Sequence, residues 1–153
     1  MAAPTTAQRS VTIEASREAV YDLVTDVTRM GEWSPECVRC EWLDAPGATG
    51  STFRGHNRNG LARWTTTARV LVADRPREFT FATVHGEKLG TRWSYRLADD
   101  GPGRTVVIES FEAMWAPPLI RFAERFFIRN RQAKLEHDMA ATLGRIKAVA
   151  ERA

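Results

Sequence analysis

Apolar and polar positions along this chain fall into three successive patterns. Near the start, Val11 and Ile13 alternate with polar neighbours over 8–14, the period of a strand with one buried face. Ser16 then precedes Ala19, Val20, Leu23 and Val24, which recur at helical spacing, with Glu18 in the first turn. A serine there accepts from an otherwise unpaired amide, and a carboxylate complements the helix dipole. This predicts an amphipathic helix over 16–26. A short helical turn follows over 27–33. Pro35 closes it, because the residue before a proline is pushed out of the helical region.

From Val38 to Trp115 the period drops to two. Strands are predicted over 38–43, 51–57, 61–73, 78–84, 91–97 and 104–115, separated by turn-forming Gly, Pro, Asn and Asp. Asn59-Gly60 is a hairpin signal. Taken as the turn itself, it pairs Asn57 with Ala62 and Gly55 with Trp64, leaving the glycine as room for the indole. One face then carries Phe53, Gly55, Asn57, Ala62, Trp64, Thr66, Ala68, Val70 and Val72. The other carries Arg54, His56, Arg58, Arg63 and Arg69. The apolar set is expected inside. Phe79, Phe81 and Thr83 share a face of their strand, as do Trp93, Tyr95 and Leu97 of theirs. In the last strand both alternating sets contain apolar residues, so its inner face stays open.

Beyond Pro118 no proline recurs. Ile128, Gln132, Leu135, Met139, Thr142, Ile146 and Val149 line one face of a helix running to about Arg152, with Leu119, Phe122, Phe126 and Asn130 forming a related stripe upstream. A helix over 118–152 would span roughly 50 Å at 1.5 Å per residue. That exceeds a domain of this size, so a kink, break or overhang is expected. The class is α+β: an antiparallel sheet of about seven strands, two short helices after the first, and a long C-terminal helix.

Composition narrows the setting. The 153 residues suffice for one domain, 1–153, with a substantial core. Hydrophobic residues at 43% and charged residues at 27% exclude a disordered chain. No apolar run is long enough to cross a bilayer, and Met1–Ser10 lacks the pattern of a signal peptide. Cys37 and Cys40 form one close pair, and a reducing, cytoplasmic setting is expected. The 22 basic and 19 acidic residues interleave without a concentrated stripe or reading motif, so nucleic acid is not an expected partner.

Few residues announce chemistry. Cys37-Val38-Arg39-Cys40 leads into a strand rather than a helix, and His56, His85 and His137 are too scattered to complete a zinc site with it. A structural role is expected for both cysteines, and no metal or cofactor is implied. Ser34, Ser94 and Ser110 lie in no nucleophile turn, and no glycine-rich phosphate loop occurs. Glu109 is the carboxylate to watch. Buried in an apolar cavity it would have a raised pKa and could serve as acid or base. The simpler reading pairs it with Arg92 or Arg96 on the neighbouring strand. The 114–127 segment joins aromatics to arginines, which suits either a cover over a cavity mouth or peripheral contact with a membrane surface.

The order of elements and five stretches of sequence resemble a known family. VTIEASREAVYDLVTDV (11–27), MGEWSPECVRCEWL (30–43), TFRGHNRNGLARWTTTARV (52–70), TRWSYRL (91–97) and TVVIESFE (105–112), with the terminal helix, resemble the START-like (SRPBCC) superfamily in its bacterial polyketide cyclase/dehydrase and lipid transport branch. The resemblance implies a helix-grip fold, a curved sheet wrapped around the long helix, with a cavity between them for a hydrophobic ligand. It carries over no catalytic residue. Phe53, Asn57, Trp64, Thr66, Phe81, Trp93, Tyr95, Glu109, Phe111, Phe126 and Asn130 are the expected lining. The expected function is binding of a small lipid or polyketide-like molecule for carriage or sequestration. Two alternatives stay open: a cyclase or aromatase acting on a polyketide, and an interaction protein such as the toxin of a paired operon.

Overall fold

The computed structural model describes residues 6–116, 118 and 131–152. Seven strands form one antiparallel sheet: β1 (Thr6–Ile13), β2 (Cys37–Trp42), β3 (Thr52–Asn59), β4 (Ala62–Asp74), β5 (Glu78–His85), β6 (Lys88–Asp99) and β7 (Thr105–Ala113). Their spatial order is β1-β7-β6-β5-β4-β3-β2, so each strand from β2 to β7 lies beside its sequence neighbours and β1 joins the far edge. Between β1 and β2 lie α1 (Arg17–Thr25) and a 3₁₀ helix (Val27–Glu32). The chain ends in α2 (Arg131–Arg152). This is the helix-grip fold. Residues 119–130, and with them most of the 114–127 segment, lie outside the described residues. No helix among the described residues is long and apolar enough to cross a membrane.

Local signals hold where they have a mechanism. Ser16 Oγ accepts from the Ala19 amide at 3.2 Å and opens α1, whose Val20, Tyr21, Leu23 and Val24 are buried. Asp26 closes α1 and caps the 3₁₀ helix through the Thr28 amide at 3.3 Å.

The register differs from expectation at the 59–62 hairpin. Asn59 pairs with Ala62, so the turn residues are Gly60 and Leu61. Gly60 has φ +62° and Leu61 is fully exposed with negative φ. A glycine at the first central position is the type II′ arrangement, which matches the twist of the flanking strands. Asn57 therefore faces Trp64, and Gly55 faces Thr66. The relative slip is two residues. A slip of one would exchange the faces, whereas a slip of two preserves the predicted inner set.

A bulge between Val70 and Val72 corrects that set at one place. Val70 pairs with Phe81, Val72 with Thr80 and Ala73 with Phe79. The extra residue turns Val72 to the outer face, and Ala73 takes the inner position. The inner face of β7 is also fixed: Val107, Glu109 and Phe111 pair with Leu97, Tyr95 and Trp93.

The main core lies where β1, α1, the sheet and the C-terminal half of α2 meet. Ile13, Val20, Val27, Val107 and Ile146 are wholly buried there, with Leu143 nearly so. A smaller cluster joins Ala7, Phe111 and Met139. α2 presents Leu135, Met139, Thr142, Ile146 and Val149 as predicted, with Leu143 added on the same side. Replacing Ile146 by alanine should cost about 2–5 kcal/mol of unfolding free energy, because a cavity remains under the helix. Urea denaturation measures this as a lower midpoint with an unchanged slope.

Candidate ligand-binding cavity

The two core clusters do not meet across the whole inner face. Between them lies a cavity of about 640 Å³, within the usual range for small-molecule sites. Its walls come from β2 to β7 of the sheet. β3 and β4 supply Phe53, Asn57, Trp64, Thr66 and Ala68; β5 to β7 supply Phe81, Thr83, Trp93, Tyr95, Glu109 and Phe111. Met30 and Trp33 close one side, and Leu135, Met139 and Thr142 of α2 another. Glu36, Lys134 and Asp138 also line it, joined by Lys134 Nζ at 2.7 Å from Asp138 and 3.9 Å from Glu36.

The expected lining residues thus come together around one space. Phe126 and Asn130 lie outside the described residues. Trp64 is half exposed, while Phe53, Phe81, Tyr95 and Phe111 are buried. The aromatic walls brace one another. Phe53 meets Phe81 edge-on with ring centres 5.2 Å apart, and Trp93 meets Phe111 at 4.9 Å. Sequence reasoning missed Met30, Trp33, Thr83 and the two cysteines as lining. Leu135, Met139 and Thr142 were legible as a helix face but not as cavity wall.

Several polar groups in the walls bond one another or the backbone. Asn57 Nδ2 donates to Thr66 Oγ1 at 3.3 Å, and Thr142 Oγ1 donates to the Asp138 carbonyl at 2.9 Å. Glu109 differs. It is 1% exposed, its Oε2 accepts from the Tyr95 hydroxyl, and its Oε1 is buried with no hydrogen-bond partner among the described residues. The expected pairing with Arg92 or Arg96 does not form. Both arginines alternate to the outer face, where Arg92 meets Glu112 at 3.7 Å and Arg96 meets Glu78 at 3.4 Å. Arg9 faces Glu109 in the β1–β7 register, but its guanidinium reaches Glu136 at 3.4 Å. Burial therefore pushes the Glu109 carboxyl up to about 7, against the smaller lowering effect of the Tyr95 hydroxyl. Burial first, and then the Glu109 charge, raise the Tyr95 phenol well above its ordinary value.

Two other depressions, of about 540 and 470 Å³, are bordered by charged groups such as Asp22, Asp26 and Arg29, or Arg92, Arg96 and Glu112. Neither encloses comparable apolar wall. Among the described residues no three metal-ligating side chains cluster.

This geometry can be set beside known proteins. The family model for polyketide cyclase/dehydrase and lipid transport matches residues 4–151. The chain belongs to that family. A polyketide-cyclase-like protein of Corynebacterium glutamicum is 31% identical, with a TM-score of 0.69 over 99% of this chain and 94% of that one. The Zhui aromatase/cyclase from a Streptomyces species is 18% identical, with a TM-score of 0.76 over 98% and 95%. A START superfamily protein from Mycobacterium smegmatis is 16% identical, with a TM-score of 0.65 over 94% and 98%. The last two likenesses are of fold. No curated protein matches the chain.

Within this polyketide cyclase/dehydrase family fold, the buried carboxyl has a consequence for stability. The unfolded chain ionises Glu109 near 4.5 and the folded chain near 7. Between those values the native state holds the proton more tightly, so the contribution of Glu109 to stability is greatest below 4.5 and is lost as pH rises through 7. The full loss is roughly 3 kcal/mol. Glu109→Gln removes this contribution. Chemical denaturation from pH 5 to 8 should therefore show wild type losing stability relative to Glu109→Gln as pH rises, and a constant difference would contradict the assignment.

Proposed function

We propose that this protein binds a small hydrophobic molecule, lipid or polyketide-like, in the cavity between the sheet and α2, for carriage or sequestration. The observation that carries the reading is the cavity of about 640 Å³, walled mainly by aromatic and aliphatic side chains. A ligand burying on the order of 300 Å² of apolar area there gains roughly 7 kcal/mol before the cost of immobilising it. The polar groups then select orientation rather than supply affinity. A hydroxyl or carbonyl of the ligand finds Glu109 and Asn57 in the walls, and the Glu109 carboxyl, held up to about 7, can meet it as donor or acceptor.

One observation favours a second reading, an enzyme of the cyclase or aromatase kind. Glu109 lines the cavity, has an oxygen unpartnered among the described residues, and has a pKa near the range a general acid or base needs. The two readings differ in what Glu109→Gln does: an enzyme loses turnover while keeping affinity, whereas a carrier shows no turnover to lose.

Native mass spectrometry of the purified protein, repeated under denaturing conditions, tests the binding reading. The expected result is a noncovalent hydrophobic adduct released on denaturation, or one formed on adding fatty acids or aromatic polyketides. Thr66→Trp, which fills the cavity from β4, should weaken that adduct at least about tenfold while leaving the fold intact. Apo masses with every compound would remove the reading.

A further inference from the structure

Cys37 and Cys40 are three residues apart on β2, a spacing that puts side chains on opposite faces of a regular strand. Here they share the inner face. β2 carries a bulge between Cys37 and Arg39, so Cys37 pairs with Asn57 and Cys40 with Gly55. The two sulfurs lie 3.1 Å apart, both as free thiols. Their residues are 6% and 4% exposed and line the cavity. Gly55 makes the space. A Cβ there would lie 3.1 Å from Thr66 Oγ1, 3.6 Å from Cys40 Sγ and 3.7 Å from Cys37 Sγ. The Cys37 amide is held by Ser34 Oγ at 3.0 Å.

We propose that Cys37 and Cys40 are a redox-active dithiol that hydrogen peroxide closes to an intramolecular disulfide and a small dithiol reductant reopens. The inference does not depend on the cavity's having a ligand. A peroxide molecule is small enough to reach the sulfurs through the cavity they line. The Cys37 thiolate attacks one peroxide oxygen, the O–O bond breaks, and the other oxygen leaves as water after taking a proton. Cys37 is then a sulfenic acid. Cys40 sulfur attacks the Cys37 sulfur, the S–O bond breaks, and a second water carries away the oxygen and the Cys40 proton. Two electrons have passed from sulfur to peroxide. The order of roles follows from the contact: the Cys40 thiol beside Cys37 holds the Cys37 thiol below its usual range, while that contact and burial push Cys40 up.

The test uses the full reduced chain, treated with equimolar hydrogen peroxide, denatured, alkylated with iodoacetamide and weighed. The expected result is a monomer lighter by two hydrogen atoms that takes no alkyl group. Dithiothreitol should restore two alkylatable thiols. Cys40→Ser should instead stop at a Cys37 sulfenic acid that dimedone captures, and Cys37→Ser should resist the peroxide. Wild-type protein that keeps both thiols, overoxidises one without linking them, or links two chains would overturn the proposal, and that measurement needs no variant to fold.

Discussion

A sheet of seven strands has more inner face than one helix can cover. At about 4.8 Å between strands the sheet is roughly 29 Å across, whereas a helix with its side chains is about 10 Å wide. The rest of this structure follows from that mismatch. The sheet curls, α1 packs against β5, β6 and α2, and one end of the inner face closes into a dense core around Ile13, Val107 and Ile146. At the other end the described residues leave a space. The aromatic side chains that line it brace one another edge to face, so the walls can stand without filling it.

The same space explains the state of Glu109. A carboxylate facing solvent would ionise normally, and one paired with an arginine would be held low. Among the described residues Glu109 has neither escape, since Arg92 and Arg96 face outward and Arg9 is engaged with Glu136. Among the described residues its hydrogen-bond partner is the neutral Tyr95 hydroxyl. A charge there would bear desolvation with little compensation, so the proton stays until near neutral pH. The cavity thus has an aromatic wall of constant character and, in Glu109, a buried acid whose charge depends on conditions.

Much of this was legible in the sequence. Alternation identified the strands, Ser16 announced α1, and the apolar set of β3 and β4 survived an incorrect hairpin register because the slip was even. What was hidden was set by bulges and by distant pairing. The Val70–Val72 bulge moved Val72 outward, and the bulge at Cys37 brought two cysteines to one face that simple alternation separates. The inner face of β7 was undecidable from a strand apolar on both sides, and only pairing with β6 fixed it. That same pairing decided that Glu109 meets Tyr95 and not Arg92 or Arg96. The cavity itself was an expectation from family resemblance, because alternation marks an inward face without saying whether the space before it is filled.

The most direct measurement of this account is the pH titration of the Glu109 side-chain carboxyl by ¹³C NMR, with the cavity empty and then filled with an apolar compound bearing one hydroxyl. The account predicts a midpoint near 7 in the free protein that moves when the compound binds. A midpoint near 4.5 that ignores the compound would contradict it, since the carboxyl would then be neither desolvated nor part of the binding space.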